Sequence, residues 1–326
     1  EIQKIKFIYY IKNTCKLLIP RKFYRWRLDY ELNKLNDYEK EYLTYRTNYY
    51  NKLNTSFKIS TKAVTSSELW SRQKRILFNY FIKKNKTEKK LTTYFFDLYN
   101  IFSFFSIDKM LDYKFGDVRD TFSSPIIVKS RPILKNENSV IMKLESVRHF
   151  NYVKDKKQFI DKKEAAVWRG NASNNKKRLF FVENYHHIKK FDIGQHGPVV
   201  NKPWFKGYMS IYDQLKYKFI FCIEGKDTAT SMKWIMSSNS ICVMPKPAMD
   251  TWFMEGSLKG DVHYIEVQDD FSDAEEKIDY YNNNIGLSLK IIEKAHTHVK
   301  QFNDSKREKL ISLLVLNKYF SLSGQT

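Results

Sequence analysis

The sequence predicts an α/β fold: a parallel sheet flanked by helices, with a helical N-terminal segment before it and a helical tail after it. Three observations carry this reading. The stretch DKKEAAVWRGNASNNKKRLFFVENY runs from an apolar segment through a polar loop into a helical pattern. The same order recurs at 217–240, YKFIFCIEGKDTATSMKWIMSSNS, followed by ICVMPKP and VHYIEVQDD. Strand, polar loop, helix, strand is the grammar of βαβ units, which pair their strands in parallel. Residues 273–319, finally, read as helical and contain few breakers.

Along the chain, residues 1–60 are basic, aromatic and free of repeats. IKFIYYIKNTCKLLIPRKFYRWR sets Lys4, Lys6, Lys12, Lys16, Arg21, Lys22, Arg25 and Arg27 among Ile, Tyr, Leu and Phe. This reads as an amphipathic helix packed on the body, with an interfacial segment drawn to anionic headgroups as the alternative. A second helix is expected after Pro20, where DYELNKLNDYEKEYL offers i,i+4 charge pairs. Residues 68–105 read as mainly helical. From residue 113 the segments shorten, punctuated by Gly116, Pro125 and Pro132. A chain of 326 residues suggests two domains of ~150 each, and the change of grammar near 150–165 is where the boundary is expected.

Hydrophobic content of 42% with 16% aromatics is ample for packed cores and excludes wholesale disorder. The 57 Lys+Arg against 36 Asp+Glu give +21, a field that favours nucleic acid, anionic headgroups or phosphorylated small molecules. The basic residues are spread along the chain without a nucleic-acid-binding motif, so no nucleic-acid partner is expected. Such a partner, or a role as a non-catalytic membrane-associated scaffold, is the competing reading. Cys15, Cys222 and Cys242 have neither metal-ligand nor disulfide spacing, which points to a reducing, cytoplasmic compartment. No apolar stretch approaches the ~20 residues that span a bilayer.

The junction after YKFIFCI is the most informative site in the chain. Glu224, Gly225, Asp227, Thr228, Thr230 and Ser231 stand where a strand ends and a helix begins. A carboxylate there can accept from ribose hydroxyls, and hydroxyls with backbone N–H groups can cradle phosphate. Ordinary helix capping by Asp227 or Thr228 uses the same residue types. Arg169, Gly170 and Arg178 follow the earlier strand, and an arginine fork suits a diphosphate. Asp117 and Asp120 each offer a carboxylate able to act as general base. His186-His187 and His296-x-His298 lack completing carboxylates, and no D-x-D triplet occurs, so no metal site is expected.

In order, GDV…P…VKSRPI, VRHF, AVWRG…R, YKFIFCIEG…S…KW…SNS and W-F-x-E-G…L…HYIEV…D resemble glycosyltransferase family 90, over roughly residues 110–275. The group includes eukaryotic protein O-glucosyltransferases. The resemblance implies a GT-B-like fold of two Rossmann-like domains facing a cleft, and an inverting, metal-independent transfer from a UDP-sugar without a cofactor. It implies an acceptor-side domain over 1–155, a nucleotide-sugar domain over 156–300 and a tail, 301–326, packing back on the first. Asp117 occupies the bacterial-type G-D-V position for the base, while Val118-Arg119-Asp120 imitates the eukaryotic R-D-Y-P context. The nucleotide-binding arginine maps to Arg178, with Arg169 as the motif arginine. The family's phosphate-contacting Ser and Arg fall on Ala229 and Ser231, leaving Lys233 or Arg131 to substitute. A glycan or lipid-linked saccharide acceptor is implied, with an anionic membrane surface as partner at the inner face of the cytoplasmic membrane.

Overall fold

The computed structural model describes residues 2–81, 91–173, 175–198 and 200–325, with the backbone alone for 2–5. The helical expectation over 82–90 and the side chain of Lys4 lie outside the described residues. The structure is mixed α/β with parallel sheets, as the strand–loop–helix pattern predicts. The chain divides into two compact units, one of 1–148 with 250–252 and 304–326, the other of 149–249 with 253–303. No helix of the described residues is long and apolar enough to cross a membrane.

The first unit begins with helices Ile2–Leu17, Arg21–Trp26, Leu28–Asn33 and Lys40–Tyr50. Helix Ser66–Phe81 starts in a capping box. The Thr65 hydroxyl accepts from the Glu68 N–H, and the Glu68 carboxylate accepts from the backbone and hydroxyl of Thr65. A three-stranded parallel sheet follows: β1 (Tyr113–Lys114), β2 (Ile126–Val128) and β3 (Ser139–Ile141), with β2 central and wholly buried. The last helix, Ser305–Leu322, is N-capped by Asp304 and packs on Lys40–Tyr50 and Thr92–Phe102. Arg46 and Glu308 meet inside this unit at 3.0 Å. The Trp252 indole donates to the same carboxylate, and its ring stacks on Tyr50 with centroids 3.8 Å apart. Residues 250–252 are thereby fixed in a unit far from them in sequence.

The second unit is built on β4 (Lys163–Gly170), β5 (Phe191–Gln195), β6 (Tyr217–Phe221), β7 (Ile241–Met244) and β8 (Ile265–Glu266), all parallel. Their spatial order is β5-β4-β6-β7-β8. In chain order this is 2-1-3-4-5, a doubly wound arrangement. Every residue of β6 and β7 is buried, as expected of parallel strands covered on both faces. Lys218 tolerates its place in β6 because its ammonium reaches Glu164 and Asn282. Phe181 packs against Phe221 and Phe271, centroids 4.8 and 4.6 Å away, joining helix Lys176–Tyr185 to the sheet. The helix after β6 covers only Met232–Met236. It stops early because the Ser237 and Ser238 hydroxyls donate to the carbonyls of Trp234 and Ile235.

Candidate active site

Ligands of open α/β sheets bind beyond the carboxyl ends of the strands, where the strand order reverses. In the second unit that point lies between β4 and β6. Val167 pairs with Ile220, and carrying that register forward sets Gly170 level with Ile223. The Arg169-Gly170-Asn171 and Ile223-Glu224-Gly225 segments therefore emerge side by side.

Helix Lys176–Tyr185 begins against this junction. Asn175 caps it by accepting the Arg178 N–H, and the same side chain donates to the carbonyls of Glu224 and Gly225. Arg178, in the first turn, donates through Nε and Nη2 to the Ile223 carbonyl at 3.3 and 2.9 Å. Its Nη1 donates to the Asn171 carbonyl at 3.4 Å. A Cβ on Gly225 would stand 3.3 Å from Nη2, so glycine there gives the guanidinium room to cross the loop. Gly170 is constrained harder, since a Cβ would sit 2.4 Å from the Trp168 ring.

Arg169 is engaged from below. It donates to Asp192 Oδ1 at 2.7 Å, and Tyr217 and Lys206 donate to the same carboxylate. Burial raises the Asp192 pKa, but these three donors bring it down to about 2. His196, just past β5, donates its backbone N–H to the Gly170 carbonyl. Burial, then Arg178 and Arg169, push its imidazole below the ordinary histidine range. A positive field thus gathers at the ends of β4 and β5.

The loop after β6 is anchored from inside. Glu224 accepts the Ala248 N–H at 3.1 Å, and Asp227 accepts the Thr228 N–H at 2.7 Å. Thr228 and Lys233 both donate to Glu255, at 3.3 and 2.7 Å. The Lys233 and Glu255 side chains are 0% exposed, and the ammonium also lies over the Phe253 ring. Thr230 and Ser231 remain partly exposed, Ser231 with its hydroxyl 3.7 Å from the Cys222 sulfur. The fold thus brings Arg169, Gly170, Arg178, Glu224 and Gly225 together, and lays Asp227, Thr230 and Ser231 along the following turn. It turns Lys233 inward.

Arg131 lies in the first unit. Its guanidinium is wholly buried, donating to the carbonyls of Tyr49, Tyr50 and Ser139 and pairing with Asp250 at 3.3 Å. Asp117 belongs to the same unit, after Gly116 at φ +109°, a conformation that glycine adopts without strain. Lys129 donates to Asp117 at 2.5 Å, and the Tyr94 hydroxyl lies 3.2 Å from Asp117 and 2.8 Å from Glu145. Arg148 pairs with Glu145 at 3.2 Å. Burial raises the Asp117 pKa, but Lys129, with a smaller contribution from Arg148, outweighs it and holds the carboxyl below its ordinary range. Asp120 differs: its side chain is 60% exposed and meets Lys114 on the surface.

Sequence reasoning did not single out Tyr94, Lys129, Glu145, Asn175, His196 or Glu255. Lys129 sits within VKSRPI and Glu255 within W-F-x-E-G, so the motifs contained them. Nothing in the spacing said what each would touch. Among the described residues no three His, Cys, Asp or Glu side chains gather as a metal set. His186, His296 and His298 instead bond backbone carbonyls.

A sequence model of glycosyl transferase family 90 matches residues 139–323. That span includes Arg169, Arg178 and the 224–233 loop, and begins after Asp117, Asp120 and Arg131. The O-glucosyltransferase LpsA of Dichelobacter nodosus is 42% identical over 236 residues, covering 72% of this chain and 74% of that protein. The chain belongs to glycosyl transferase family 90 and is a glycosyltransferase.

Proposed function

We propose that the protein is an inverting, metal-independent GT-B enzyme that moves a sugar from a UDP-sugar to a hydroxyl of a lipopolysaccharide or other surface glycan. The second unit takes the donor and the first supplies the base. The observation that supports the donor reading most directly is Arg178 held across Gly225, at the point where the strand order reverses. LpsA is named an O-glucosyltransferase, which makes UDP-glucose the first donor to try.

In this reading Glu224 accepts from the ribose hydroxyls, and Thr230 and Ser231 face the phosphates. Asp117 takes the proton of the acceptor hydroxyl, whose oxygen attacks the anomeric carbon from the face opposite UDP. The bond to the diphosphate oxygen breaks, and Arg178 with neighbouring N–H groups stabilises the charge left there. The test is UDP release from a panel of UDP-sugars with a glycan acceptor, run with and without EDTA. Release that persists in EDTA is expected. Activity lost to EDTA and restored by manganese or magnesium overturns the metal-independent mechanism, and no release from any donor overturns the UDP-sugar reading.

Arg178→Ala should slow transfer by about 10²–10³-fold, the usual loss on removing one donor to developing charge. Because Arg178 also braces the Ile223 and Asn171 carbonyls, Arg178→Lys serves as a companion. It keeps the charge but loses the fork, so intermediate UDP affinity by calorimetry is expected. A folded Arg178→Ala protein with unchanged rate and UDP affinity removes Arg178 from the site.

A further inference from the structure

The N-terminal helices of the first unit turn apolar side chains away from the body. Helix Ile2–Leu17 is held through one face. Tyr9 donates to Asp97 and the Thr93 carbonyl, and Asn13 accepts from Asn100. On the opposite face Phe7, Ile11 and Leu18, at i, i+4 and i+11, are 66%, 49% and 81% exposed. Ile19, just before Pro20, is exposed, and beyond Pro20 the residues Phe23, Trp26 and Tyr30 repeat at i, i+3 and i+7 and are exposed as well. Helices Arg21–Trp26 and Leu28–Asn33 keep this stripe on one side because Arg27 between them is itself αR. The Arg27 N–H donates to the Phe23 carbonyl, and the Arg27 carbonyl accepts from Glu31.

Seven large exposed apolar residues on two consecutive stripes exceed the scattered exposure of an ordinary surface. Their setting selects the partner. From Lys6 to Arg27 the chain has seven basic residues and no acidic one. Lys6, Lys12 and Lys22 are exposed. On a helical projection Lys6 and Lys12 flank the Phe7–Ile11–Leu18 stripe on either side, so their stems can lie along it while the ammonium groups reach outward. Apolar residues seated between lysines match an anionic bilayer, which offers hydrocarbon below and negative charge at the headgroup level. Another protein surface complementary to this face would need an apolar groove rimmed by acids.

We propose that this face docks on the surface of an anionic lipid bilayer, with Phe7, Ile11, Leu18, Phe23 and Trp26 entering the interface and Lys6, Lys12 and Lys22 at the headgroups. The docking is independent of the donor chemistry. It is tested by co-sedimenting the whole chain with vesicles of phosphatidylcholine, alone or with one part in three phosphatidylglycerol. Binding at least about tenfold stronger to the anionic vesicles is expected, weakening as salt rises from about 0.05 to about 0.5 M. Neutralising Lys6 or Lys12 to Gln should each cost about fivefold. The triple variant Phe7→Ser, Ile11→Ser, Leu18→Ser, all at exposed positions, should keep its melting temperature and lose vesicle binding. Brominated lipid should quench wild-type fluorescence more than that of Trp26→Phe, which places Trp26 in the interface. Equal or absent sedimentation with both vesicles overturns the proposal. So does a triple variant that binds vesicles normally but loses self-association in sedimentation velocity, since a second copy would then be the occupant.

Discussion

Asp117→Asn should lower the transfer rate by about 10²–10⁴-fold, the usual contribution of a general base, and leave UDP affinity unchanged. The amide keeps the size of the carboxylate but cannot accept the acceptor's proton. Its partners position Asp117 and keep it ionised. Lys129, with a 3% exposed side chain, holds it at one oxygen, and Tyr94 ties it to Glu145. Its pKa is depressed, so the group is ionised throughout the neutral range. The sign follows: its ion pair contributes stability above the unfolded carboxylate pKa, and that contribution is lost as pH falls through the lower folded value. Activity should be flat near neutrality and fall only below the ordinary carboxylate range. Asp120→Asn, on the exposed pair with Lys114, should change the rate little. If Asp120→Asn abolishes transfer and Asp117→Asn does not, the eukaryotic-type alignment holds and Asp120 is the base. If neither matters, the base lies elsewhere. Because Asp117→Asn also leaves Lys129 less compensated, the rates are compared only after both variants are shown to melt cooperatively.

Lys233→Met should destabilise the protein by about 3–5 kcal/mol, as expected when one partner of a buried ion pair is removed. The mechanism is specific. Glu255 would stay buried after losing the Lys233 ammonium, with the Thr228 hydroxyl still donating to its carboxylate. Combining Lys233→Met with Glu255→Leu should restore much of the loss, since a buried pair replaced by apolar groups is often near neutral. Denaturant midpoints of the two single variants and the double variant form the cycle. A Lys233→Met protein with an unchanged midpoint and weakened UDP binding would instead make Lys233 a ligand-facing residue. The resemblance to family 90 left Lys233 or Arg131 to serve as a phosphate contact; the buried Lys233–Glu255 pair favours a role for Lys233 in holding the loop.

Sequence by itself determined the local elements and the chemical types at their ends. The runs AAVW within KEAAVWRG, FIF within YKFIF, and ICVM mark strands because short apolar segments suit parallel pairing under helices. Arg169, Arg178, Glu224 and Gly225 could be named because a polar loop after a strand is where such sheets bind ligands. The ordered motifs were enough to point to the family. Tertiary structure decided who meets whom. Strand order put β4 beside β6, so Arg178 reaches the Ile223 carbonyl 45 residues away. It gave Lys233 to Glu255, Arg131 to Asp250, and Asp117 to Lys129 and Tyr94. It also drew 250–252 into the first unit. The physical reason is range. Periodicity and capping are set by neighbours within about two turns of chain. The partner of a buried charge is instead set by which distant segment desolvates it, and spacing carries no record of that choice.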